Sequence, residues 1–121
     1  GDSEGLLVLL TDDVVHDINQ GAREIGKPAF RAFLSRMDDS YREEIVSLVV
    51  LSHPGGGRFA AEFEVLGVYA KTDPGFPEAR GQRYRLPAGA FFEVRDGLVA
   101  RVTNYYNVRE WVAQVSTGAS S

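Results

Sequence analysis

Cysteine is absent from the 121 residues, which removes disulfides, a thiolate nucleophile and any cysteine-held zinc from consideration. Histidine is almost as scarce. His16 and His53 are the only two, and His53 lies in the loop-forming run His53-Pro54-Gly55-Gly56-Gly57, so no metal is expected. Positive charge is in deficit: 13 Lys and Arg against 17 Asp and Glu leave a net charge of -4. That is the wrong sign for a footprint on nucleic-acid phosphates or for docking on an anionic membrane. No apolar run approaches the roughly 18 residues of a membrane span, and Gly1-Asp2-Ser3-Glu4 lacks the positive start of a signal peptide. A cytoplasmic protein without nucleic-acid or membrane partners is expected. What is present suits a folded domain, with 44% hydrophobic and 25% charged residues. We read residues 1–115 as one domain and 116–121 as a flexible tail.

The periodicity changes once along the chain. Asp2 or Ser3 can cap a short helix carrying Leu6, Leu7 and Leu10, which Asp12-Asp13 would close. Val14 to Ile18 reads as a strand that ends in Asn19-Gln20-Gly21. Gly26-Lys27-Pro28 opens a second helix, with Phe30, Phe33, Leu34, Met37 and Tyr41 at helical spacing. From Glu44 onward the pattern is β: Ile45–Leu51, Phe59–Tyr69, Tyr84–Val94 and Leu98–Tyr106. Asp96-Gly97 signals a tight hairpin, Lys71 to Gly81 a long loop, and Val108 to Val115 a closing helix. Asn107 followed by Glu110 is a capping-box-like pair, which accounts for Asn107 without a site role. Helices ahead of a meandering sheet predict an α+β fold, a curved antiparallel sheet with helices on its concave face around a pocket.

Gly26-Lys27 with the Phe30/Phe33 helix, the run Asp96-Gly97-Leu98-Val99-Ala100-Arg101, and the segment Asn104-Tyr105-Tyr106-Asn107 occur in an order that resembles SnoaL-like and ketosteroid-isomerase-like proteins of the nuclear transport factor 2-like superfamily. The resemblance implies a cone-shaped, cystatin-like roll. It implies acid/base chemistry without a cofactor on a small hydrophobic carbonyl or polycyclic ligand, and a homodimer. Such proteins carry a long helix ahead of the Gly1-Asp2 position, whose tyrosine stabilises an oxyanion, and no residue of this sequence matches it.

Carbon-acid chemistry needs a base near the substrate's α-proton and donors where the enolate oxygen forms. Asp17 matches the isomerase base if one residue is skipped after Asp13. Without the gap Ile18 takes that position and His16 points inward, because a one-residue slip along a strand exchanges its faces. Both Asp17 and His16 are therefore candidate catalytic residues. The isomerases' second acid falls at Ala90. The arginine and two aspartates of the superfamily's epoxide hydrolases fall at Phe63, Val65 and Asn104. Asn104 orients a water or a carbonyl but takes no proton near neutrality. Asn104 and Tyr106 share a face with Val102. With Phe33, Phe63 and Phe92 they form the expected ligand-binding wall. The rival reading is a non-catalytic dimeric binding or accessory module that has lost these acids.

If Phe63 and Val65 face the pocket, then Glu62, Glu64, Leu66, Val68, Arg83, Arg85, Phe91 and Glu93 share the outer face. That mixture suits either a homodimer interface or a solvated sheet.

Overall fold

The structure is a computed structural model that describes residues 3–19 and 21–116. The expected cap at Asp2, Gln20 in the first loop and tail residues 117–121 lie outside the described residues. Three helices and six strands follow in the order α1 (Ser3–Leu7), β1 (Leu10–Ile18), β2 (Arg23–Ile25), α2 (Lys27–Ser40), β3 (Tyr41–Ser52), β4 (Arg58–Tyr69), β5 (Gln82–Arg95), β6 (Leu98–Tyr106) and α3 (Val108–Ser116). The strands form one curved, unclosed sheet in the order β2-β1-β6-β5-β4-β3. This is the α+β architecture expected, with one refinement: β1 runs parallel to β6, and every other neighbouring pair is antiparallel.

Local chemistry explains the borders. Asp96 and Gly97 both take positive φ, 53° and 79°, the conformation of a type I′ hairpin turn between β5 and β6. Gly26, at φ 99°, precedes α2 and donates its N–H to Val14 O at 2.8 Å, tying the helix start to β1. Asn107 caps α3 by accepting the Glu110 N–H at 3.1 Å.

Three expectations are corrected. Leu10 is not helical: α1 stops at Leu7, and Leu10 pairs with Val99 of β6, so Asp12-Asp13 continues a strand rather than closing a helix. So short a helix gains little from each added turn, and the residues beyond Leu7 gain more by pairing with β6. Tyr41 is not the last residue of the α2 stripe; at φ -130° and ψ 140° it begins β3. The three-residue strand β2 is additional.

The helices cover one face of the sheet, here called inner. At one end Phe30 of α2 packs with Leu7, Leu10 and Val14, against Val99 and Val102 of β6. At the other end Trp111 and Val115 of α3 pack with Tyr69, Tyr84 and Leu86. Each such buried side chain contributes on the order of 1.5–3 kcal/mol. Between the two clusters Phe63, Phe92 and Asn104 are only half-buried. The helices thus cover the inner face most fully at its two ends.

Candidate functional site

β1 delivers His16 to the inner face beside α2. Its imidazole lies 4.6 Å, centroid to centroid, from both Phe30 and Phe33, tilted against the first and edge-on to the second. The residue is 2% exposed and its Nδ1 has no hydrogen-bond partner. Burial pushes the imidazole below its ordinary value, and the Glu24 and Asp17 carboxylates oppose this only in part. His16 is therefore neutral near pH 7, with one nitrogen able to accept a proton. An orphaned buried nitrogen costs about 1–3 kcal/mol, so its retention calls for an explanation.

Asp17 goes the other way. Consecutive strand residues point to opposite faces, and its carboxylate is held by Arg23 through bonds of 2.6 and 3.0 Å, with Thr103 Oγ1 at 3.2 Å and Arg101 at 3.9 Å. These partners, Arg23 first, hold the carboxyl below the usual aspartate range. The expectation that Asp17 reaches the pocket as a base is corrected: it belongs to an ion-paired row on the outer face that continues to Glu93.

One inner-face residue was not anticipated. Glu24 of β2 is the register partner of His16 on the antiparallel β1–β2 ladder, so the two side chains share a face with Cβ atoms about 5 Å apart. Glu24 Oε1 is buried without a partner, while Oε2 lies 3.7 Å from Arg36 of α2. The Arg36 guanidinium also stands 5.8 Å from the Phe33 ring centroid. The only sequence signal was an acidic residue in a segment too short to show period.

Asn104 completes the group. Its β1 register partner is Ile18, two residues beyond His16, and its partner on β5 is Ala90. Its Oδ1 is likewise buried without a partner. Phe92 pairs with Val102, Ala88 with both Tyr106 and Phe63, so Phe63, Phe92 and Tyr106 line the same inner surface. Phe33 reaches it from α2. Three polar groups, His16, Glu24 and Asn104, thus converge on an aromatic and small-residue floor. A surface groove of about 800 Å³ bordered by Tyr41, Arg42, Glu43, Gly67, Val68 and Tyr84 lies away from His16 and contains no orphaned buried polar atom among the described residues.

A curved sheet covered at its ends by helices, with a buried histidine and an amide on its inner face, is an α+β roll, and its sequence places it in a family. A family model described as the SnoaL-like domain matches residues 1–102, and the chain belongs to this family. Its structure is similar to that of a candidate polyketide cyclase from Xanthomonas campestris pv. campestris, at 57% identity and TM-score 0.92, covering 95% of this chain and 85% of that one. A candidate polyketide cyclase from Pseudomonas putida KT2440 is 53% identical with TM-score 0.93, covering 95% and 86%. An LEH-like epoxide hydrolase from Mycobacterium tuberculosis, at 18% identity and TM-score 0.68 over 98% and 80%, shares the fold alone. No protein of curated function matches.

Proposed function

We propose that the chain binds a small, mainly apolar carbonyl compound on its inner face and that His16 exchanges a proton with the carbon next to that carbonyl. The observation that carries this reading is the orphaned Nδ1 of a His16 that is 2% exposed. A neutral imidazole is a competent base near pH 7. As it takes the proton, Glu24 opposite stabilises the imidazolium, and Asn104 orients the carbonyl oxygen where negative charge develops. The removed proton returns to a different carbon in an isomerisation, or the enolate attacks a second carbonyl in a ring closure. Neither step requires a cofactor. The cyclase designation of the similar structures from X. campestris and P. putida agrees with this chemistry.

The reading includes a homodimer through the outer sheet face. Leu51 is 62% and Phe91 46% exposed there, and Phe91 stacks edge-on with Tyr105 at 5.7 Å. A cytoplasmic setting fits the lack of cysteine. No described helix is long and apolar enough to cross a membrane.

A second reading is favoured by Ala90. Facing Asn104 and 5% exposed, it leaves no second carboxyl beside the oxyanion position. On that reading the protein binds the same ligands without turnover. Deuterium exchange at the α-carbon of 2-tetralone in D2O separates the two. Exchange by the native protein that is lost in His16→Gln and kept in Asp17→Asn supports acid/base catalysis. Binding without exchange supports the accessory role.

A further inference from the structure

Glu24 is placed where a carboxylate should not stay unaided. Its strand, β2, is an edge strand of three residues, and the two neighbours Arg23 and Ile25 are exposed. Water is within a side-chain rotation, and a carboxylate oxygen without a partner gains by turning toward it. The Glu24 side chain is nevertheless only 28% exposed, with Oε1 buried and unpartnered. Its one ion-pair partner among the described residues is Arg36, 3.7 Å from Oε2. A pair this open to solvent is loose when it stands alone. Arg36 has a second anchor. It follows Phe33 by one turn of α2, and its guanidinium stands 5.8 Å from that ring's centroid. Phe33 in turn meets the His16 imidazole edge-on at 4.6 Å. Ring and cation together fix the place to which the Glu24 carboxylate is drawn.

We propose that Arg36 is a positioning residue, which keeps the Glu24 carboxylate turned in beside His16 with Oε1 left free for the imidazolium. The proposal rests on the reading of His16 as the base, and it adds the device that keeps the counter-charge in place. Arg36 acts through Glu24. Its hold on Oε2 leaves the other oxygen on the side of the register partner, His16. The remaining charges around the imidazole are engaged elsewhere. Asp17 points to the outer face, bound by Arg23 and close to Arg101. Lys27 and Arg31 of α2 face Asp12 and Glu4. From β6 the neighbours are Val102 and Asn104, and from α2 Phe30 and Phe33, none of which titrates. The charges brought to His16 by the described inner face are therefore those of Glu24 and Arg36.

A double-variant cycle on the full chain, read by His16 ring-proton NMR, tests this without any turnover. With Arg36 present, Glu24→Gln removes a charge beside the imidazole, and the His16 titration should move down by about half a pH unit. In Arg36→Ala the carboxylate has swung to solvent, so adding Glu24→Gln should change the titration little. Arg36→Lys keeps a cation over Phe33 and should restore most of the Glu24 effect. Arg36 is 58% exposed, so none of these variants opens the core. A Glu24→Gln shift that is as large or larger without Arg36 overturns the proposal, because the carboxylate then reaches His16 unaided. No shift with Arg36 present overturns it too. As a second readout, α-carbon exchange of 2-tetralone should fall about tenfold in Arg36→Ala, the weight of one charge-assisted contact, with binding unchanged. Weakened binding would make Arg36 a ligand contact and overturn the positioning role. If the cycle shows the coupling while the native protein exchanges nothing, the role of Arg36 stands and the reading of His16 as the base falls.

Discussion

His16 faces Glu24 across the β1–β2 ladder, with the imidazole Nδ1 and the carboxylate Oε1 both buried and both without a hydrogen bond. Proteins pair almost all such atoms. Two orphans on one patch of the inner face, with the Asn104 oxygen as a third, are what the proposed ligand would satisfy. Phe30 and Phe33 fix the imidazole from two sides, and Arg36 holds the other oxygen of Glu24, so the group is pre-ordered.

The first prediction concerns pH. Because burial depresses the His16 value, the unfolded chain takes up a proton before the native one does. Above about pH 6.5 both forms are neutral and stability is unaffected. As pH falls below that value the native state loses stability, until its own depressed value is reached. Urea midpoints measured from about pH 7.5 down to 5 should decline in the native protein and stay flatter in His16→Gln. Equal slopes would show that His16 is not held neutral.

Asp17→Asn should leave both ligand binding and α-carbon exchange unchanged. Its bonds to Arg23 and Thr103 lie on the outer face and its side chain is partly solvated. A surface ion pair of this kind contributes about 0–1 kcal/mol, so melting temperature should fall only slightly. A strong loss of exchange in this variant would return the base to Asp17.

Gly67→Ala should be unusually costly for a glycine in a strand. The added methyl meets the Tyr84 ring, and overpacking of this sort costs about 1–3 kcal/mol. Denaturant melts should show that loss, and Tyr84→Ala should relieve it in the double variant. Independent, additive effects would mean that the ring does not cross β4 at this point.

Much of the fold could be read from the residues because strong local chemistry marked it. Asp96-Gly97 located the β5–β6 turn, Gly26-Lys27-Pro28 opened α2, and alternation carried β4, β5 and β6. The shared face of Phe63, Phe92, Asn104 and Tyr106 followed from the same alternation, and helical spacing grouped Phe33 with Phe30. The failures were of other kinds. Leu6 to Leu10 is apolar throughout and has no period, so the end of α1 was invisible. Which of His16 and Asp17 faces inward depends on an irregularity between Leu10 and Val15, where the register with β6 shifts. Arg23-Glu24-Ile25 is too short to announce a strand, which hid Glu24. The Glu43–Tyr84 contact joins residues 41 apart and depends on Gly67 between them; local patterns carry no such information.

The outer face supplies a further prediction. Val49, Leu51, Phe91 and Tyr105 are exposed apolar side chains there, and Phe91→Glu should convert a dimer to monomers in sedimentation velocity. A native protein that sediments as a monomer at all concentrations contradicts the dimer.

The central claim is that His16 is a neutral, ligand-facing imidazole, and ring-proton NMR tests it most directly. The chain has only two histidines, so the spectrum of His16→Gln assigns both. The account predicts that the His16 resonances titrate below the ordinary histidine value and shift when 2-tetralone is added, while those of His53 do not move with the ligand. A His16 that titrates at or above the ordinary value, or is indifferent to the ligand, would contradict it.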